Sequence, residues 1–117
     1  MRSSVLNTKS YDFAIRIVKL SQSLQNEKKE YVLSRQLLKS GTAIGALIRE
    51  AEFAQSRADF IHKMSISLKE ANETIYWIDL LKDTDYISDS THISLKNDCK
   101  ELFRMLVSTV KTLKMDK

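Results

Sequence analysis

The chain has 117 residues, 43% hydrophobic and 29% charged, with two glycines, no proline and one cysteine. That composition fits one globular domain over 1–117 built from long helices, and it excludes a disordered chain, a turn-rich β architecture and a disulfide scaffold. The net charge of +4 is unevenly spread: residues 1–50 carry nine Lys and Arg against four Asp and Glu, residues 51–95 four against eight, and residues 96–117 six against three.

The first periodic segment runs from about Ser10 to Leu24, where Phe13, Ile17, Leu20 and Leu24 recur at helical spacing. After the polar turn "QNEKKE", a second pattern runs Leu33, Leu37, Ser40, Ile44, Leu47, Ala51, Ala54, alternating four and three as a bundle seam does. The rhythm slips at Ser56, where "SRAD" offers a capping box: the Ser56 hydroxyl can accept from the Asp59 N–H while the Asp59 carboxylate reaches back. A tight corner is expected there, with one continuous helix through residue 56 as the alternative.

The third pattern, Ile61, Met64, Leu68, Ala71, Ile75, Ile78, is widened by Phe60, Trp77 and Leu81 and should end near Asp83. "DTDYISDS" reads as a loop that supplies the next N-cap. The fourth helix then spans roughly Ser90 to Leu113 on a seam of Leu95, Cys99, Leu102, Leu106, Thr109 and Leu113. Four amphipathic helices with three short connections predict an all-α, antiparallel up-down four-helix bundle.

Little here points to catalysis. A carboxylate-bridged metal pair in such a bundle needs Glu-x-x-His motifs, whereas His62 and His92 follow Asp59 and Asp89, near helix starts that suit capped or solvated side chains. No metal or other cofactor is expected. Glu70 and Glu73 share a helical face and are the best acid-base candidates, but structural or interfacial pairing suits them better. Cys99 lies on a core seam, where a thiol behaves as a small hydrophobe. The start of the chain lacks the apolar run of a leader, and the longest apolar stretch, Ala43 to Ile48, is far short of a membrane span of ~20 residues, so a cytoplasmic protein with no membrane partner is expected.

Charge carries the sharper signal. Lys96, Lys100, Arg104, Lys111 and Lys114 project within about 80° of one another on the fourth helix, and Lys28, Arg35 and Lys39 form a shorter row along the start of the second. Such rows suit phosphates, with binding that falls as salt rises; simple solvation of the rows is the competing reading.

Gly41 and Gly45 stand four apart inside the second pattern, each costing about 1 kcal/mol of helix propensity relative to alanine. Close approach of another helix is the expected compensation, with Trp77, Tyr76 or another bulky side chain packed over them. Replacing Gly45 with Leu should then disrupt fold or assembly.

Taken together, "SYDFA" (residues 10–14), "QLLKSGTAIGALIREAEFAQSRADF" (36–60) and "KEANETIYWIDLL" (69–81) resemble the bacterial four-helix bundle proteins encoded in intervening sequences of 23S ribosomal RNA genes and also found outside them. The resemblance extends in register over nearly the whole chain; Leu47 and Ala43 stand where that family commonly has Asn and Ser. It implies a left-handed bundle, often a ring of five copies, with no catalytic residue and no small-molecule substrate. A similar bundle is the accessory protein of diversity-generating retroelements and binds a reverse transcriptase and nucleic acid through basic surface. The resemblance therefore implies a homopentamer whose partner is RNA or a nucleic-acid-processing protein, and it makes Ser40, Gly41, Ile44, Gly45, Glu50, Glu70, Glu73, Tyr76 and Trp77 packing and assembly determinants. The expected function is a non-enzymatic, nucleic-acid-binding scaffold; the alternative is a protein-protein assembly module with no nucleic-acid partner.

Overall fold

The computed structural model describes residues 2–115 and contains four helices: α1 (Arg2–Glu27), α2 (Val32–Ala51), α3 (Arg57–Asp83) and α4 (Asp89–Met115). Each packs on the next in sequence, α4 closes back on α1, and the molecule measures 48 × 21 × 20 Å. This is the up-down four-helix bundle that the periodicity predicts. No strand occurs among the described residues.

The connections explain where the helices stop. With no glycine at the ends, Lys29 and Asp85 themselves take left-handed backbone (φ 57° and 67°), and the N–H groups of Glu30 and Tyr86 turn back to the carbonyls of Leu24 and Leu81. The Glu30 carboxylate then caps α2, accepting from the N–H groups of Val32, Leu33 and Ser34 at 3.2, 3.0 and 2.7 Å. At the next corner the chain breaks as expected: Ser56 is the N-cap of α3 and its hydroxyl accepts from Asp59 N–H at 3.0 Å. The Asp59 carboxylate reaches one residue beyond the cap, to the N–H of Gln55 at 3.2 Å. Ser88 caps α4 by accepting from Thr91 N–H at 3.2 Å.

The core contains Phe13, Ile17 and Leu24 of α1, Leu37, Ile44 and Ala51 of α2, Met64, Ala71 and Ile78 of α3, and Leu95, Cys99, Leu102 and Leu106 of α4. Several seam positions need correction. Ile48 is buried where Leu47 was expected, and Leu47 is left half-buried on the α3 side; Leu20, Leu33, Ile61, Leu68, Ile75 and Leu113 are also half-buried, and Ala54 lies beyond the end of α2. α1 begins eight residues before the expected start, at Arg2 rather than Ser10, and that extra length brings Leu6 into the core.

Polar groups in the core are tied across helices. The Ser67 hydroxyl donates to the Ile44 carbonyl at 2.9 Å, the Thr74 and Ser40 hydroxyls hydrogen-bond at 2.9 Å, and the Cys99 thiol donates to the Ala71 carbonyl at 3.4 Å. Every buried side-chain N or O among the described residues has a partner, which fixes the register of α2, α3 and α4.

The glycines are covered by α1. A β-carbon on Gly41 would lie 2.8 and 2.9 Å from the Ile17 Cγ1 and Cγ2 atoms, and one on Gly45 would lie 3.1 Å from the Ser10 hydroxyl and 3.4 Å from the Ser10 carbonyl oxygen. The close helix approach inferred from the sequence is present, but Trp77 and Tyr76 take no part in it. They lie on α3, packed edge to face with ring centroids 5.0 Å apart.

Candidate nucleic-acid interface

α4 presents its apolar stripe to the core, so residues about half a turn away face solvent. Lys100, Arg104, Lys111 and Lys114 are all exposed on that outer side and have no ion pair among the described residues. Over the 14 residues from Lys100 to Lys114 the row extends about 20 Å along the axis.

Lys96 does not belong to this row. Its ammonium lies 3.0 and 3.1 Å from the two Asp79 carboxylate oxygens on α3, in a half-buried cluster with His92, whose Nε2 is 2.8 Å from the same carboxylate. Burial works to raise the Asp79 carboxyl, but hydrogen bonds from His92 and Lys96, together with their charges, outweigh it and hold the group below its ordinary 3.8. Lys96 and His92 thus tie α4 to α3, which takes Lys96 out of the candidate nucleic-acid-binding row of the sequence reading and replaces the capping or solvated role expected of His92. Asp79 was the missed member. The heptad-edge spacing of His92 and Lys96, four apart on one face, was the available signal.

The second row is also divided. Lys28 lies in the α1–α2 connection, beside Lys82, Asp83 and Tyr86 at the same end of the bundle, whereas Arg35 and Lys39 are exposed on α2. The structure does not join it to the α4 row as one surface: α2 and α4 are diagonal in the bundle and do not pack on each other.

The acidic candidates lie on α3. Glu73 is exposed and accepts a hydrogen bond from Trp77 Nε1 at 3.0 Å. Glu70 is half-buried; burial, then the Glu73 charge beside it, raise its carboxyl above the ordinary value against the opposing pull of Lys39. Glu50 pairs with Lys63 at 3.6 Å. Cys99 is buried, and loss of solvation, then the Asp98 charge, push its thiol up to about 12, the setting of an inert core thiol.

The α1–α4 side is the least closely packed of the four. Arg16 there bonds Asp98 at 2.6 Å and Ser94 at 3.1 Å, and Lys9 meets Glu101 at 3.3 Å. These pairs neutralise the flank of α4 next to α1, so among the described residues of α4 the cations without an ion pair are those of the outer row.

The model of the 23S rRNA-intervening sequence proteins matches residues 3–108, nearly the whole described chain. The chain belongs to this family. Among solved structures, a protein of unknown function from the S23 ribosomal protein family of Bacteroides thetaiotaomicron VPI-5482 is 55% identical, covers 95% of this chain and 99% of its own, and superimposes with a TM-score of 0.93. No curated protein matches. As in the other intervening-sequence proteins, membership fixes the helical fold and leaves the biochemical role open. Among the described residues, no helix is long and apolar enough to cross a membrane, and no group of three or more His, Cys, Asp or Glu is placed to hold a metal ion.

Proposed function

We propose that this intervening-sequence protein is a non-enzymatic scaffold that assembles with copies of itself, as a pentamer on the family resemblance, and binds RNA through the outer face of α4. The observation that carries the reading is the exposed row of Lys100, Arg104, Lys111 and Lys114, four like charges without ion pairs among the described residues. Like charges spaced along a helix repel one another, and a polyanion relieves that repulsion by exchanging its condensed counterions for the lysines and arginine. Lys28, Arg35 and Lys39 extend the same chemistry to a second side of the molecule. A cytoplasmic setting goes with the reading, since RNA is the partner and the lone thiol is free. Catalysis by Glu70 and Glu73 has no support: Glu73 is spread on the outer face of α3 and engaged by Trp77.

Binding of a structured RNA hairpin at 50 and 200 mM salt tests the reading. Four phosphate contacts per copy predict a loss of about 100-fold across that range, and the triple change Lys100→Glu, Arg104→Glu, Lys111→Glu should abolish binding with the helical spectrum intact. Absence of binding at low salt, or indifference to the triple change, refutes it. The alternative of a pure assembly module is favoured by one observation, the apolar outer side of α1 and α2. It predicts a stoichiometric protein partner that survives nuclease treatment.

A further inference from the structure

Where Gly45 lets α1 approach α2, the two helices leave an open trough of about 310 Å³ on the outside of the bundle. Its walls are Tyr11 and Ala14 of α1 and Thr42, Ala46 and Arg49 of α2, and its floor is Gly45 against Ser10. The apolar surface continues along α1, where Tyr11, Ile15 and Val18 are 59%, 41% and 37% exposed. Arg49 stands on the rim without an ion pair among the described residues, and Arg35, two heptads earlier on α2, marks the same outer line.

The chain also carries a shape and charge that fit this trough. Tyr76 on the outer face of α3 is 59% exposed, and its ring is braced edge-on by Trp77. Trp77 also fixes the Glu73 carboxylate one turn before it, next to Glu70, and neither acid has an ion pair among the described residues. An aromatic knob with the Glu73 carboxylate one turn before it thus faces outward from α3. It cannot reach the trough of its own chain, because α3 is diagonal to α1 and points away from it.

We propose that the Tyr76 knob of one copy seats in the α1–α2 trough of another, setting Glu73 against Arg49. A braced tyrosine entering an apolar pocket next to an arginine is the arrangement that concentrates binding energy at interfaces. A two-fold contact of trough on trough is disfavoured, since it would place Arg35 and Arg49 of one copy against the same arginines of the other. The contact joins two different faces and so repeats from copy to copy, as rings and filaments require. It rests on the self-assembling reading above and deepens it by naming the two faces.

Sedimentation equilibrium of the full chain tests it, with circular dichroism as the check on folding. The unmodified protein should be larger than one chain; Tyr76→Ala and Arg49→Glu should each weaken self-association about thirty-fold or more with helicity unchanged. The double variant Arg49→Glu, Glu73→Arg should recover it, because the pair is reversed at every contact. Ala46→Glu, at an exposed position in the trough, gives a second way to block the site should either single variant unfold. An oligomer indifferent to all of these changes overturns the assigned faces and leaves the assembling scaffold standing. A chain that stays monomeric at every concentration overturns both. Failure of the double variant to recover, or sensitivity to Tyr76→Ala without sensitivity to Arg49→Glu and Ala46→Glu, also overturns the pairing and leaves the trough to a different partner.

Discussion

α1 is held on its two sides by different physics. Toward α2 it packs through small residues, with Ile17 over Gly41 and Ser10 over Gly45, and through the Ser21 hydroxyl and Gln25 amide, which donate to the carbonyl and hydroxyl of Ser34 at 3.2 and 3.1 Å. Toward α4 it is held outside the core by Arg16, Lys9 and their carboxylate partners, at the least closely packed side of the bundle. A seam of buried contacts is sensitive to volume and indifferent to salt; a seam of half-exposed ion pairs is the reverse. The same helix is therefore rigidly registered on one side and adjustable on the other.

The largest expected effect comes from breaking the first seam. Gly41→Leu would place a β-carbon 2.8 Å from Ile17 Cγ1, in a part of the core where Ile17 is fully buried, so that Ile17 or α1 itself has to shift. Overpacking of this kind should cost about 3 kcal/mol, read as a fall in the urea midpoint. Gly45→Ala sharpens the point. Its nearest contact is a hydroxyl at 3.1 Å, and the helix-propensity gain of about 1 kcal/mol should leave stability nearly unchanged. Equal losses at both glycines would mean that the two contacts are not distinct.

Next comes the cap that closes the α1–α2 connection. Glu30→Ala removes three hydrogen bonds to the first turn of α2 and should cost about 1.5 kcal/mol in thermal or urea unfolding, with Glu30→Gln retaining part of it. On the opposite seam the effect is smaller. Arg16→Ala, which removes the bonds to Asp98 and Ser94, should cost about 0.5 kcal/mol at low salt and nothing measurable in 1 M salt. A loss that persists in high salt would show that Arg16 acts through packing of its stem.

The bundle itself was legible because its cause is periodic. Apolar residues at spacings of four and three face one way whatever lies across from them, so the helical faces and their order follow from one chain; between a corner at Ser56 and one continuous helix the sequence leaves both open, and the structure has the corner. The finer choices were set by neighbours that periodicity does not reveal. Leu47 and Ile48 are both apolar and adjacent, and which one enters the core depends on the rotation of α2, fixed by Gly41 and Gly45 against α1. Lys96 reads as one of a row of five on α4, yet Asp79 on another helix removes it from the row. The cap supplied by Glu30 is hidden because the preferred caps are shorter side chains and Glu30 stands two residues before the helix. The close approach at the glycines follows from the sequence, but its partner stays open between Trp77, Tyr76 and another bulky side chain; it is Ile17 at Gly41 and the small Ser10 at Gly45, because glycine marks that a neighbour is near without saying which helix supplies it.

The pH dependence of stability separates the α3–α4 tie from the open acidic face of α3, and gives the smallest effect. The Asp79 carboxyl lies below its ordinary value in the folded chain, so it contributes stability that is present above pH 3.8 and is lost as pH falls through the folded value. Glu70 works in the opposite sense. Its raised carboxyl means that the folded chain holds that proton more tightly than the unfolded one, so its penalty is present at neutral pH and is relieved as pH falls through the raised value toward 4.5. Urea midpoints measured from pH 7 to 3 should thus fall less steeply at the acid end for Asp79→Asn than for the unmodified chain. Glu70→Gln should raise the midpoint slightly at pH 7 and leave it unchanged below pH 4. Both groups are only half-buried, so solvent screens each effect and each difference is small; the opposite signs are what distinguish a carboxylate engaged by cations from one left beside another acid.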